Sequence, residues 1–283
     1  MALFNRSWRL TIDIDGVSKT YQERSAQDTS LKIDFEIDSS VGGAFSNGTI
    51  TIFGLSNADI AFLATNYNPQ DGSLKPSLVQ LELGYNDALS LVLFGNIVEA
   101  EPDFTQSDTR IRIRVASGAQ QNLEKRSITA SEKDATFRSL CEIAAKNNDL
   151  ALEYDSNIPQ KTIGDYSFVG TPFQQIEGLR KLWDGVDIFI NGKKLSVKYK
   201  KASEVRKIVL DRDSGLIGTP KPTPFGVEAT SMLNPALAAA SFIELKSGKI
   251  PQINGLYRIA TLSHKGSNRG ELWISQLTLN KAF

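Results

Sequence analysis

Residues 48–56 read GTITIFGLS, and this stretch decides the character of the first half of the chain. Ile50 and Ile52 alternate with Thr49 and Thr51, which is the period typical of a strand with one buried and one exposed face. Ser56 is then a good helix N-cap, and Asp59 follows three residues later, ahead of apolar positions 60 and 63. The stretch predicts a strand that leads into a short helix.

The same alternation occurs on both sides of this stretch. Apolar residues at every odd position from 31 to 37 are separated by Lys32, Asp34 and Glu36. Further strands of this kind are predicted over residues 9–14, 79–85, 91–100 and 110–115, with a turn at residues 86–87. Six alternating strands with one short helix predict a small antiparallel barrel or sandwich.

The period changes in the middle of the chain. Apolar residues at 137, 140, 141 and 144 predict an amphipathic helix within residues 133–148. A second helix is predicted from its capping chemistry, because Thr171 can cap, Pro172 fits the first helical position and Gln174 completes a capping box.

A hairpin follows the second helix. Apolar residues alternate on both sides of Asn191-Gly192, the pair favoured in a type I′ turn, over residues 186–199. The unit from about residue 123 to residue 200 is therefore expected to be a small α+β domain.

The last part of the chain returns to strands. Alternation predicts them over residues 226–230, 241–246, 256–264 and 271–279, after a proline-rich stretch at residues 219–224. Residues 249–255 and 265–270 are rich in turn formers and are expected to connect strands. The organisation is β, then α+β, then β, and the first and last parts share no sequence repeat.

Composition excludes several classes of protein. The 283 residues suit about two domains of roughly 150 residues each. Lys plus Arg total 32 and Asp plus Glu total 32, which argues against a protein whose main role is to grip nucleic acid or an anionic membrane. One Cys and one His exclude a disulfide framework within the chain and a Cys/His zinc cluster. The start lacks a secretory signal, and the apolar stretch at 236–243 is far short of the roughly 18 residues of a membrane span, so a soluble chain made in the cytosol is expected.

The candidate catalytic residues each favour a structural interpretation. Asp13 and Asp15 resemble the opening of an aspartate-nucleophile phosphatase, but a strand running into a turn explains them better. Residues 211–215 are interpreted as a turn for the same reasons. His264 is expected at the surface or in a turn, and Cys141 is expected to act as a small hydrophobic residue on its helix. No catalytic, cofactor-binding or metal-binding residue is assigned, no cofactor is expected, and an enzyme is not predicted.

Two basic stripes need an interpretation. The solvated face of the hairpin is favoured over phosphate binding for the first stripe, which consists of Lys193, Lys194, Lys198, Lys200 and Lys201. The second stripe is a solvated face or a subunit contact, and both alternatives stay open for Arg110, Arg112 and Arg114.

The order of these elements resembles the baseplate hub (tail-hub) proteins of tailed bacteriophages. Three groups of residues carry the resemblance and together span nearly the whole chain. They are residues 48–56 with 81–85 and 93–97; residues 171–173 with the helix and hairpin that follow; and residues 215–220 with 254–259 and 264–266. The order and spacing of these motifs give the match its weight.

The resemblance implies a mainly β fold in which two β-barrel tube-type domains flank a small α+β insert. The barrels would be residues 1–118 and 201–283, and the insert would be residues 119–200. It also implies a homotrimer that presents six barrels and joins the six-fold tail tube above to the three-fold central spike below.

The same resemblance implies the partners and the location of the chain. The partners would be the tail tube protein, the central spike protein, the tape-measure protein and other baseplate proteins. DNA would be present only in transit through the channel, and no direct membrane insertion is expected. The protein would be assembled in the bacterial cytoplasm and would reside in the virion baseplate. Since no lysozyme-like segment is appended, cell-wall digestion is expected to belong to another protein.

Two alternatives come from other functional classes. A carbohydrate- or receptor-binding β module would expose clustered aromatic residues on loops, whereas Trp8, Trp183 and Trp273 lie in or beside predicted strands and helices, which favours a core position. A peptidoglycan hydrolase would need an acidic catalytic pair, and no pair stands out.

Overall fold

The computed structural model describes residues 5–22, 31–41, 46–65, 70, 75–104, 109–117, 127–191, 193–201 and 207–282. Within these residues the chain is mainly β. The first part contains β1 (Arg6–Ile14), β2 (Val17–Gln22), β3 (Lys32–Ser40), β4 (Asn47–Phe53), α1 (Asn57–Ala64), β5 (Ser77–Tyr85), β6 (Ala88–Asp103) and β7 (Arg110–Ala116).

The middle and last parts contain the remaining elements. The middle part has β8 (Ile128–Thr136), α2 (Phe137–Asn147), β9 (Ala151–Tyr154), β10 (Thr162–Gly170), α3 (Pro172–Leu182), β11 (Val186–Asn191) and β12 (Lys194–Tyr199). The last part has β13 (Ile208–Leu210), β14 (Leu216–Thr223), β15 (Gly226–Met232), β16 (Phe242–Leu245), a 3-10 turn at Pro251–Ile253, β17 (Gly255–Ser267) and β18 (Trp273–Lys281).

All six strands predicted for the first part are present, and so is the short helix. The Ser56 hydroxyl accepts a hydrogen bond from the Asp59 backbone N–H, which caps α1. Ile60 and Leu63 are the buried residues of this helix. The alternating apolar side chains of the strands meet in a core that also includes Trp8.

The sequence did not predict β2. It forms a hairpin with β1 in which Ile14 lies opposite Val17, so the turn consists of Asp15 and Gly16 alone. Both residues have positive φ, 55° and 80°, as a type I′ turn requires. The interpretation of this acidic segment as a strand that runs into a turn is confirmed.

The proline-rich stretch is itself a strand, which alternation could not show. It forms most of β14, which lies at one end of the large sheet and is irregular between Ile217 and Lys221. A proline has no N–H to donate, so it is tolerated on an edge strand. The predicted connection over residues 265–270 is also partly wrong, because β17 continues to Ser267.

The first and last parts share one continuous sheet. The second half of β17 pairs with β3, and the sheet runs in the order β14-β15-β18-β17-β3-β4-β7-β6-β5-β1-β2, with β16 on β17 and β13 on β16. Among the described strands this order is open at both ends, so the closure of either part into a barrel stays a prediction.

Two blocks of this sheet have the same topology. Block 1 has the order β3-β4-β7-β6, and block 2 has the order β14-β15-β18-β17. In each block the first two strands are neighbours, β3 with β4 and β14 with β15. The other two strands follow them in the sheet in the reverse of their chain order, β7 before β6 and β18 before β17. The fourth strand in each block also pairs, over its first half, with an outer strand, β5 or β16. This repeat of topology is invisible in the sequence.

The middle part has its own buried cluster, formed by α2, α3 and the strands around them. Strand β9 pairs in parallel with β12, which forms the predicted hairpin with β11, and β8 pairs with β10. Gly192, the second residue of the predicted turn, lies outside the described residues.

Both predicted helices are present, and one begins later than expected. Helix α3 has the predicted capping box, in which Thr171 and Gln174 cap each other's backbone N–H groups. Helix α2 begins at Phe137, capped by Thr136, and the residues before it belong to β8 rather than to the helix. Within the described residues, no helix is long and apolar enough to cross a membrane.

Candidate functional site

One face of blocks 1 and 2 carries mostly polar side chains, and we call it the polar sheet face. Its members lie on one side because cross-strand partners share a face. From block 2 it includes Lys221, Glu228, Thr230, Gln276, Thr278, Thr261, Ser263 and Lys265. From block 1 it includes Asp34, Glu36, Asp38, Thr49, Thr51, Arg110, Arg112, Arg114, Glu99, Glu101 and Asp103.

The second basic stripe lies on this face, and a carboxylate stands opposite each arginine. Arg114 lies opposite Glu99, with Nη1 and Oε2 2.8 Å apart. The guanidinium hydrogen bond holds the pKa of Glu99 below its ordinary value. The other two pairs are Arg112 with Glu101 at 3.8 Å and Arg110 with Asp103 at 2.6 Å.

A similar ion pair lies where the two blocks meet. Lys265 of β17 lies opposite Glu36 of β3, and their side-chain N and O atoms are 2.6 Å apart. The hydrogen bond to Glu36 raises the pKa of Lys265. Lys221 and Glu228 form a looser pair at 3.9 Å on the exposed β14–β15 hairpin.

Acidic side chains slightly outnumber basic ones on the polar sheet face, by seven to five among the members named above. The three arginines do not form an unneutralised basic stripe, because each has a carboxylate directly across the sheet. Counterion release, which drives proteins onto DNA, requires basic groups that are available to phosphates. A surface of this kind can lie beside DNA without holding it.

The acidic half of this pattern was not predicted from the sequence. Residues 99–103 read EAEPD, and residues 110–114 read RIRIR. The alternation of charge in both stretches is visible in the sequence, but their pairing depends on the register of β6 with β7. A bulge between Ile97 and Glu99 sets that register.

His264 is not at the surface, and that prediction is wrong. It lies within β17 and is only 4% exposed. Its Nδ1 is 2.9 Å from the Ser275 hydroxyl, and burial lowers the pKa of His264 to about 4. The ring borders a cavity of about 130 Å³ whose walls include Leu262 and Ile190, the latter from the hairpin of the middle part. A buried neutral imidazole with a hydroxyl partner is a packing group in this position.

The other candidate catalytic residues have structural roles in the structure. Cys141 is fully buried on α2, and burial raises the pKa of its thiol to about 12, so it is an inert core residue as predicted. Asp211 accepts a hydrogen bond from the backbone N–H of Ser214, which confirms the turn at residues 211–215. In the described part of the chain, no group of three or more His, Cys, Asp or Glu residues could hold a metal ion.

The lysines of the first basic stripe have acidic and aromatic neighbours. Lys198 contacts Glu153 at 2.6 Å, and Lys200 contacts Asp187 at 3.7 Å. Lys193 lies over the ring of Phe94, 5.7 Å from its centroid. Lys194 is exposed, in agreement with the predicted solvated face.

The tryptophans agree with the core interpretation in two cases. Trp8 and Trp273 are buried in the core of the first part. Trp183 is half-buried and makes an edge contact with Phe137, with ring centroids 5.1 Å apart. None of the three lies in a cluster of exposed aromatic residues such as a receptor-binding loop would present.

The middle part is held to the last part by a buried ion pair. Arg258 of β17 donates through Nη2 to Asp187 of β11, and their side chains are 13% and 8% exposed. Both strands are otherwise members of separate buried clusters. This contact therefore fixes the position of the hairpin relative to the sheet.

The sequence-family model described as baseplate hub gp41 matches residues 9–278, nearly the whole chain. The chain belongs to this family, and it is a structural protein of the phage tail baseplate. No curated protein matches the sequence.

Solved structures of tail proteins share the fold. The 43 kDa tail protein of prophage MuSo2 from Shewanella oneidensis matches with a TM-score of 0.64 at 10% identity, over 96% of each chain. A tail protein from Neisseria meningitidis matches with a TM-score of 0.61 at 8% identity, over 97% of this chain and 96% of that one.

A third similar structure comes from a secretion system. An E. coli component of the type VI secretion system, described as structurally similar to the T4 bacteriophage tail proteins gp27 and gp5, matches with a TM-score of 0.58 at 11% identity. The match covers 96% of this chain and 77% of that one.

Proposed function

We propose that three copies of this chain form a ring in the baseplate, the trimeric hub that joins the six-fold tail tube to the three-fold central spike. The observation that carries the proposal is the repeated topology of blocks 1 and 2. Because each chain presents two equivalent blocks, three chains present six. A trimer can therefore match a six-fold ring on one side and a three-fold partner on the other.

The two blocks belong, in this proposal, to two tube-type β-barrel domains, residues 1–118 and 201–283. Residues 119–200 form the insert between them. Three buried clusters support this division, since each is formed mainly by one part of the chain. Leu233 and Trp273 of the last part join the first cluster. Contacts with neighbouring copies complete the barrels, since the described strand order within one chain is open.

The polar sheet face lines the central channel of the ring. It is wide, continuous across both blocks and nearly balanced in charge, so DNA and the tape-measure protein can pass without being held. The opposite face of the same strands is apolar and packs into the two cores. The channel is therefore built on rigid, well-packed strands rather than on loops.

The remaining partners follow from the position of the ring. The tail tube protein stacks on one side, the central spike protein on the other, and other baseplate proteins surround the outside. The chain acts as a non-enzymatic adaptor, it does not insert into a membrane, and it is assembled in the host cytoplasm before it becomes part of the virion.

Quantitative mass spectrometry of purified virions tests this proposal. The chain is expected in the particles at the same copy number as the trimeric spike protein, and at half the copy number of tube protein in one six-fold ring. Absence of the chain from purified virions would overturn the proposal, and so would a copy number equal to that of a whole tube ring.

A further inference from the structure

The two blocks match residue by residue. A straight row across block 1 joins directly paired residues in the order Glu36, Thr49, Arg114 and Glu99. The corresponding row across block 2 joins Lys221, Glu228, Thr278 and Thr261. A register shift lies immediately before the last residue of both rows, between Ile97 and Glu99 and between Ile259 and Thr261.

The outer strands extend the match. In block 1, Val79 of β5 lies opposite Gly95, two residues before Ile97. In block 2, Ile243 of β16 lies opposite Tyr257, two residues before Ile259. The equivalence therefore covers five strands and the bulges that follow Ile97 and Ile259, and it assigns equivalent positions to the paired residues of β3 and β14 and of β6 and β17.

Each block has two outer edges, so the two blocks can meet in two ways, β17 against β3 or β6 against β14. Within the chain only the first junction is formed. The second half of β17, in block 2, pairs with β3, the first strand of block 1. Lys265, four residues after Thr261, lies opposite Glu36 there, at 2.6 Å. The equivalent edges are the edge of the second half of β6 that faces away from β7 and the outer edge of β14. Neither edge has a partner strand among the described residues.

We propose that the second half of β6 in one copy lies against the outer edge of β14 in the next copy, with Asp103 opposite Lys221. This inference rests on the proposed trimer and adds the register of its junction. Asp103, four residues after Glu99, occupies the place of Lys265, and Lys221 occupies the place of Glu36. Within the chain the base lies on β17 and the acid on β3, whereas in the proposed junction the acid lies on β6 and the base on β14. The two charges of each junction are opposite in sign in both cases.

The prolines on the two free edges are compatible with this register. In the junction within the chain, His264 lies opposite Ile37. The equivalent residues on the free edges are Pro102 and Pro222, which face each other in the proposed junction. Neither has an N–H, so neither leaves a donor unpaired. The junction between copies has fewer backbone hydrogen bonds than the one within the chain, and side chains such as Asp103 and Lys221 supply its specificity.

Engineered disulfides test the register in the full-length chain. In a Cys141→Ala background, Asp103→Cys is combined with Lys221→Cys, and the protein is oxidised at high concentration. Directly opposed strand residues have Cα atoms about 4.5–5.5 Å apart, which suits a disulfide. A shift from the 31.1 kDa chain to a covalent trimer as the largest product is expected on a non-reducing gel.

Two matched pairs provide the controls. Lys265→Cys with Glu36→Cys should form a disulfide within one chain, since these residues hold the equivalent positions in the junction already present. Glu99→Cys with Lys221→Cys lies on the same face but about 13 Å out of register at 3.3 Å per residue, so it should give no covalent trimer.

Two results would overturn the inference, and they are distinguishable. If light scattering shows a trimer but the Asp103–Lys221 pair cross-links no better than the displaced pair, the register is wrong and the trimer stands. If the chain remains at 31.1 kDa and no pair cross-links between chains, both the register and the proposed ring fail.

Discussion

At the scale of single residues, the buried position of His264 determines the pKa of its side chain. Its ring is buried beside Ser275 and borders a cavity whose described lining contains no charged side chain. Desolvation disfavours the protonated form there, which is why its pKa falls to about 4 from 6.5. The imidazole therefore stays neutral at physiological pH and couples protonation to unfolding.

This coupling predicts an acid-dependent loss of stability. The unfolded chain takes up a proton near pH 6.5, whereas the folded chain does so only near pH 4. Stability should therefore be unaffected by this group above pH 6.5 and should fall as the pH decreases towards 4, by about 3 kcal/mol in total. Denaturant titrations of the wild type and His264→Asn between pH 4 and pH 8 measure this, and an equally steep decline in the variant would contradict the assignment.

At the scale of elements, the junction between the β11–β12 hairpin and the sheet depends on few polar contacts. Asp187 is directed at Arg258 from a strand whose residues Val186 and Ile188–Ile190 are apolar and buried. Removing one member of a buried ion pair leaves the other charged and desolvated, which is more costly than the pair itself is favourable.

Asp187→Ala should therefore destabilise the chain by about 3 kcal/mol, because Arg258 would remain buried without its carboxylate. Asp184→Ala, a few residues earlier and exposed, is the matched control and should change stability by less than about 0.5 kcal/mol. Denaturant unfolding measures both. Equal effects in the two variants would show that the ion pair does not hold the hairpin.

Elements with strong local signals could be predicted from the sequence. The alternating strands β1 and β3 to β7 and the capping box of α3 follow from periodicity and from Thr171 and Gln174, which act over a few residues. Strand β14 could not be predicted, because its prolines are compatible with a strand only at a sheet edge. Strand β8 was missed because its sequence, ITASEKDAT, has few apolar residues and pairs only with β10.

The polar sheet face could be predicted only in part. The Arg110–Arg114 alternation was visible, but the carboxylates opposite it depend on a bulge and on strand register, which are tertiary properties. The repeat of blocks 1 and 2 was likewise hidden, since equivalent residues such as Glu36 and Lys221 differ even in the sign of their charge.

At the scale of the whole molecule, the balance between opposite charges is also found locally, because strand pairing places opposite charges side by side on the polar sheet face. Cross-strand partners place an acid beside each base on the polar sheet face. Exposed ion pairs of this kind add little stability, on the order of 1 kcal/mol or less. Their main effect is to reduce the attraction of the face for anions such as DNA phosphates.

Removing the acids should convert the face into a DNA-binding surface. The triple variant Glu99→Gln, Glu101→Gln and Asp103→Asn leaves three arginines unneutralised. Its binding of duplex DNA should rise above that of the wild type and should fall with salt with a logarithmic slope of about −3, as expected for three phosphate contacts. Fluorescence anisotropy at several salt concentrations measures this.

A control variant separates local from net charge. Asp149→Asn, Asp184→Asn and Asp213→Asn remove the same charge from exposed positions outside the polar sheet face. This variant should bind DNA much more weakly than the first. Equal binding by the two variants, or strong binding by the wild type, would contradict the role given to the paired carboxylates.

The trimeric ring is the central claim, and the mass of the purified chain in solution tests it most directly. Light scattering over a wide concentration range should show the mass approaching three times 31.1 kDa as the concentration rises. A plateau at a dimer or a tetramer, or a mass that stays at that of one chain at every concentration, would contradict the account.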